Sequence, residues 1–172
     1  MFNSQVNSNL MPTLSGKVII HVKHTLYTRY TGRGRIKADT VISIAQPSGA
    51  MLSGTYTQHQ PVSGSHSQID VNELYASDNG DGRPSAQSYM DFYLTIGSAI
   101  FILKCDITLS CANHGSVETT CGSGGISSQV NLYFTNTNYK IIGENSCSFN
   151  TGYCETESGR TDIIEYDVTL GE

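Results

Sequence analysis

The side chains that could do chemistry here are five cysteines, five histidines and fifteen carboxylates, and their spacing decides which chemistries survive. Cys111, His114 and Cys121, with Cys147 or Cys154 as a fourth ligand, are the donor types of a zinc site. Structural zinc draws on cysteine pairs roughly two to four residues apart, a spacing absent here, so disulfides are the better use of the sulfurs. Cys147 and Cys154 flank Ser-Phe-Asn-Thr-Gly-Tyr, a turn-rich stretch that would fold the chain back, and they are expected to bridge. A second bridge, Cys111 to Cys121, would close the Ala112 to Thr120 loop and cut its entropy in the unfolded chain. Cys105 is then the odd thiol. His21 and His24 look like a metal pair, but three apart on a strand they face opposite sides, so edge or surface histidines are expected. His59 and His66 lie in a Pro/Gly/Ser loop with nothing to hold them together.

Asp78-Asn79-Gly80-Asp81-Gly82 has the composition of a calcium loop. The EF-hand alternation needs oxygen ligands where this run has Gly80 and Gly82, and Asx-Gly turns explain it without an ion. An irregular site built from Asp78 and Asp81 is the one structural calcium that the composition leaves open, and no other cofactor is expected. Gly64-Ser65-His66-Ser67 lacks the strand-to-helix setting of a nucleophile elbow. Gly32-Arg33-Gly34 lacks the third glycine and the helix of a dinucleotide fingerprint. Asp70 with Glu73, and Glu155 with Glu157, have spacings common on acidic surfaces, so no glycosidase dyad stands out. No catalytic residue is assigned.

Charge is unevenly placed. Residues 1–60 hold Lys17, Lys23, Arg29, Arg33, Arg35 and Lys37 against Asp39 alone, whereas the remainder holds four basic and fourteen acidic residues. Within the basic part, Tyr27-Thr28-Arg29-Tyr30-Thr31-Gly32-Arg33-Gly34-Arg35 interleaves aromatic, cationic and glycine residues. Arg29, Tyr30, Arg33, Arg35 and Lys37 are therefore the candidate subunit or polyanion contact. The alternatives are basic strands that neutralise acidic neighbours within the fold, or single-stranded nucleic acid stacked on the Tyr/Arg loop. The net charge of −5 counts against nucleic acid.

The elements that must position these groups are strands. Period-two alternation recurs throughout, punctuated by Gly, Ser, Asn and Pro. It marks Lys17 to Leu26, Arg35 to Ala45, Ala50 to Thr57, Ser67 to Tyr75, Ser88 to Ile96, Ala99 to Leu109, Gln129 to Thr135, Tyr139 to Cys147 and Thr161 to Leu170, with a short strand allowed after Tyr153. About nine strands predict an all-β fold, a two-sheet antiparallel β-sandwich or jelly roll. Residues 1–16 read as a polar N-terminal arm, and 17–172 as a single β-sandwich domain. Ser110 to Ser128 is a Gly/Ser/Thr loop. The sharpest local expectation is a hairpin about Gly97-Ser98, where glycine supplies the positive φ of a type II′ turn. It pairs Leu94 with Phe101, Phe92 with Leu103 and Met90 with Cys105 on an apolar face, and Asp91 with Lys104 on the other.

Ser, Thr and Asn make up more than a quarter of the chain, and charged residues 15%. The first sixteen residues lack the basic and apolar runs of a classical signal peptide. The longest apolar stretch, Ala99 to Leu103, is far short of the roughly 20 residues of a membrane span. There is no Asn-x-Ser/Thr sequon, which disfavours a eukaryotic secretory route. These features lead to a non-enzymatic structural or assembly subunit of a virion or extracellular assembly, such as a capsid, appendage or fibre. It would form a homo-oligomer, or join other assembly subunits, through a bipolar charged surface and the N-terminal arm. The runner-up is a glycan-binding, lectin-like β-sandwich module, suggested by ten tyrosines and weakened by the absence of tryptophan. A hydrolase acting through loop carboxylates comes third.

Overall fold

The computed structural model describes residues 16–27, 35–56, 62–66, 68–77, 85–97, 99–111, 125–135, 140–153 and 159–171. They form β1 (Gly16–Tyr27), β2 (Arg35–Gln46), β3 (Met51–Tyr56), β4 (Val62–His66), β5 (Gln68–Ser77), β6 (Ser85–Ile96), β7 (Ala99–Cys111), β8 (Ile126–Thr135), β9 (Lys140–Ile142), β10 (Ser146–Tyr153) and β11 (Arg160–Gly171). A five-stranded sheet in the order β5-β2-β1-β11-β9 faces a six-stranded sheet in the order β10-β8-β7-β6-β3-β4. Neighbours in both sheets run antiparallel. The protein is an all-β sandwich.

Period-two alternation explains the layering. On β1 the inward residues Val18, Ile20, Val22 and Leu26 are buried, and on β7 every second residue from Ala99 to Cys111 is buried. The inward rows of the two sheets make one core whose largest side chains include Phe92, Phe101 and Phe134. Phe101 and Phe134 meet edge to face, with centroids 6.3 Å apart. Gly54 of β3 also faces inward, where the Phe92 ring takes the space of a side chain: a Cβ there would lie 2.8 Å from Cδ1.

The β6–β7 hairpin has the expected register throughout, with Leu94 opposite Phe101, Phe92 opposite Leu103 and Met90 opposite Cys105. Gly97 takes φ +59°, as a type II′ turn requires. Lys104 Nζ stands 3.5 Å from Asp91 Oδ1 on the outer face. Three expectations about the elements need correction. Tyr139 to Cys147 is not one strand, because β9 ends at Ile142 and Gly143, at φ +98°, turns the chain from one sheet into the other. The stretch after Cys147 is not a returning turn; it is β10, in continuous register with β8 from Ser146 to Tyr153. β4 falls in what the sequence marked as a loop. No helix among the described residues is long and apolar enough to cross a membrane.

Candidate functional site

The densest polar group in the core is built by one residue from each of three strands. His24, from β1, is fully buried between the sheets. Its Nδ1 lies 2.7 Å from Thr40 Oγ1 on β2, its neighbour in the same sheet. Its Nε2 lies 2.9 Å from Ser128 Oγ on β8, across the sandwich. The Phe149 ring of β10 meets the imidazole edge on, at 6.2 Å between centroids. Here the expectation of an edge or surface histidine fails for His24. β1 lies inside the sheet, between β2 and β11, and His24 takes the inward phase of Val18, Ile20, Val22 and Leu26. His21, in the opposite phase, stands on the outer face as expected.

The hydrogen atoms of this group can be assigned. Ser128 Oγ donates to the Thr108 carbonyl at 2.5 Å. Its single hydrogen is then used, so it accepts from Nε2–H of His24. Nδ1 is left as an acceptor for the Thr40 hydroxyl. The chain of donors runs from Thr40 through a neutral His24 and Ser128 to the Thr108 carbonyl, and every bond is made. A serine nucleophile needs the opposite polarity, with its hydroxyl hydrogen aimed at the imidazole. Ser128 is also only 4% exposed. The arrangement holds the two sheets together and does not activate an oxygen.

Its surroundings keep the imidazole neutral. Burial, opposed by the Asp162 carboxylate, lowers the His24 pKa to about 4. Asp162 is His24's register partner on β11. It stands 3.4 Å from Arg160 Nε, and Arg160 Nη1 donates to the Gly152 carbonyl of β10 at 2.6 Å. This arginine thus ties β11 to β10 at the side of the sandwich. Thr151 of β10 lies opposite Ser128, and its buried hydroxyl has no hydrogen-bond partner.

The cysteines divide three ways. Cys105 is a fully buried free thiol, and burial raises its pKa. Cys147 is also a free thiol, half-buried, so the expected Cys147 to Cys154 bridge is not made. The reason is β10 itself: an extended strand carries Tyr153 roughly 20 Å from Cys147, and bridged cysteines need Cα atoms within about 7 Å. Cys154 lies outside the described residues. Cys111 is disulfide-bonded, and Cys121, its expected partner, also lies outside them.

Of the candidate contact residues, Arg29, Tyr30 and Arg33 lie outside the described residues, and Arg35 opens β2 opposite Ser77. Lys37 is engaged in its own sheet, 3.2 Å from Asp39 and 5.0 Å above the Tyr27 ring centroid. The basic strand β1 sits beside β11, which carries Asp162, Glu165 and Asp167, and Lys17 pairs with Asp167 at 3.0 Å. The basic β1 and the acidic β11 therefore lie side by side in one sheet. Asp78, Asp81, His59 and His114 lie outside the described residues, as does the side chain of His66. Among the described residues no group of three or more His, Cys, Asp or Glu could hold a metal.

The outer face of the six-stranded sheet carries Tyr89, Tyr93 and Tyr133 among Asp91, Lys104, Asp106 and Asn131. Tyr89 and Tyr93 are each 41% exposed. Burial and the nearby Asp91 raise the Asp106 pKa, against Lys104. An open depression of about 420 Å³ lined by Ser85, Ala86, Gln87, Thr108, Leu109 and Ser110 holds no titratable side chain. No protein-family model, curated protein or solved structure matches this chain.

Proposed function

We propose that the chain is a non-enzymatic structural subunit of a virion or extracellular assembly, a capsid, appendage or fibre, built by association of copies of itself. The observation that carries this reading is β10, which among the described residues is an edge strand of eight residues without a charge or a proline. Monomeric β proteins blunt such edges with lysines, prolines or bulges, because unpaired N–H and C=O groups recruit another strand. The polarity and burial of the Thr40, His24 and Ser128 chain support the non-enzymatic part. The segment with Arg29, Tyr30 and Arg33, together with Arg35 at the start of β2, is a second contact in this proposal, and a Cys111 to Cys121 disulfide would suit an oxidising location.

Sedimentation velocity over a wide range of concentration and salt is the test. A stable closed or open oligomer is expected, and a monomer at every concentration would end the assembly reading. A glycan-binding module is the second reading, favoured by the tyrosines that alternate with Asp91 on the outer face of β6. A monomer that binds glycans and loses that binding in Tyr93→Ala would put it first.

A further inference from the structure

Among the described residues no strand covers the side of the sandwich where β10 ends one sheet and most of β11 borders the other. β11 is covered by β9 only from Thr169 to Gly171, so Arg160 to Val168 form a second edge beside β10. The two edges differ in chemistry. β11 carries Arg160, Asp162, Glu165 and Asp167, charges of the kind that keep an edge from pairing. β10 reads Ser-Cys-Ser-Phe-Asn-Thr-Gly-Tyr, and its register with β8 is unbroken by any bulge. The Gly152 carbonyl accepts from Arg160, so it points away from β8. Peptide groups alternate sides along an antiparallel strand, so Ser146, Ser148 and Asn150 turn their N–H and C=O groups the same way, where the sheet has no further strand. Inward-facing Cys147 and Phe149, with Ile164 of β11 and Ile141 of β9, are only partly buried along this side.

We propose that this edge is completed by residues Phe2 to Leu10 of a second copy of the chain, added as a strand beside β10; the proposal rests on the assembly reading. The segment has the required pattern. Phe2, Ser4, Val6, Ser8 and Leu10 fall on one face of an extended strand, and Asn3, Gln5, Asn7 and Asn9 on the other. β10 divides the same way, with Cys147 and Phe149 inward and Ser146, Ser148 and Asn150 outward. Added in phase, the segment covers the half-buried Cys147, Phe149 and Ile164 with Phe2, Val6 and Leu10, and continues the outer hydroxyl and amide face with its own amides. Residues 1–15 carry no charged side chain, matching the uncharged acceptor strand. The donor is a second copy because Met11-Pro12-Thr13-Leu14-Ser15 joins the segment to β1. Residues 11–15 hold a proline that favours extended backbone and no Gly, Asn or Asp; Gly16, at φ +143°, already belongs to β1, and a return to the chain's own β10 is the outcome that an intrachain Cys147 link would report.

The free thiol of Cys147 reports on this contact. In the full chain, single cysteines at Ser4, Val6, Ser8, Gln5 or Asn7 are oxidised with copper phenanthroline, and products are read by non-reducing gel and peptide mapping. Links to Cys147 at dimer mass are expected from S4C, V6C or S8C, to be weak or missing from Q5C and N7C, and to vanish in a Cys147→Ser background. Separately, Ser148→Pro removes an outward N–H and the exposed Gln129 Nε2–Ser148 Oγ hydrogen bond, and spares the backbone pairing with β8. It should weaken self-association roughly tenfold or more, about 1.4 kcal/mol, with the melting temperature of the subunit little changed. Equal linking from both faces, or no link to Cys147, in a chain that sediments as an oligomer overturns this edge while the assembly reading stands. So does an oligomer indifferent to Ser148→Pro. A Cys147 link formed within one chain overturns the second copy as donor, and a monomeric mass throughout ends both readings.

Discussion

Acid should loosen the sandwich at His24 before it protonates most of the carboxylates. The folded state holds this imidazole neutral, with its pKa lowered from 6.5 to about 4 by burial. The unfolded chain therefore takes up a proton that the folded chain refuses. A depressed folded pKa gives stability that is present above pH 6.5 and is lost as pH falls toward 4. Linkage puts the loss at about 2 kcal/mol between pH 7 and pH 5, and about 3 kcal/mol by pH 4. His24→Gln keeps a neutral donor and acceptor but cannot titrate there. Urea unfolding of both proteins at pH 7, 6 and 5 isolates the term, because carboxylates such as Asp106 contribute equally to each. The variant should start less stable, and the gap should narrow by about 2 kcal/mol at pH 5. Asp162→Asn should widen the acid loss only below pH 5, since the Asp162 carboxylate opposes the burial that lowers the His24 pKa. Parallel stability profiles for the parent and His24→Gln would refute the assigned neutral imidazole and with it the donor order from Thr40 to Thr108.

Two further outcomes test the frame around this group. Lys104→Glu should cost a few tenths to about 1 kcal/mol by setting like charges opposite each other, and exchanging Asp91 and Lys104 together should be nearly neutral; urea midpoints decide. Maleimide labelling of the native chain at neutral pH should modify Cys147 slowly, since burial and Glu144 raise its pKa, and should reach Cys105 only on unfolding; rapid native labelling of Cys105 would contradict its burial in the inward row between Met90 and Leu132.

The β6–β7 hairpin was legible because everything that determines it is local. A glycine at the turn, apolar residues in one phase and an opposite-charge pair in the other all specify one register. β10 was not legible for the opposite reason. Ser, Asn, Thr and Gly favour turns when taken alone, and only the partner strand β8 makes them extended, a tertiary effect that local propensity does not carry. His24 lies between these cases. The apolar phase through Val18, Ile20, Val22 and Leu26 already placed it inward, but its residue type suggested a surface. Ser128, its partner 104 residues away, sits where a Gly/Ser/Thr tract hides the start of β8 at Ile126, so no sequence signal joined the two. The candidate group became visible only when the sheets faced each other.

The same pairing changes what the uneven charge means. Read along the chain, a basic first third and an acidic remainder suggest two faces that attract each other in neighbouring subunits. The fold puts the basic β1 between β2 and the acidic C-terminal β11, so opposite charges meet within one sheet, as Lys17 and Asp167 do. Exposed pairs of this kind are worth at most about 1 kcal/mol and fade with salt. On the assembly proposal, what then remains to drive subunits together is the backbone that no described strand pairs and the half-buried apolar surface along β10, whereas β11 carries charges. An assembly held through this edge should tolerate salt that would dissolve a docking of charged faces. The ionic-strength dependence of any self-association therefore separates the strand edge from the basic residues 29–35 as the principal contact.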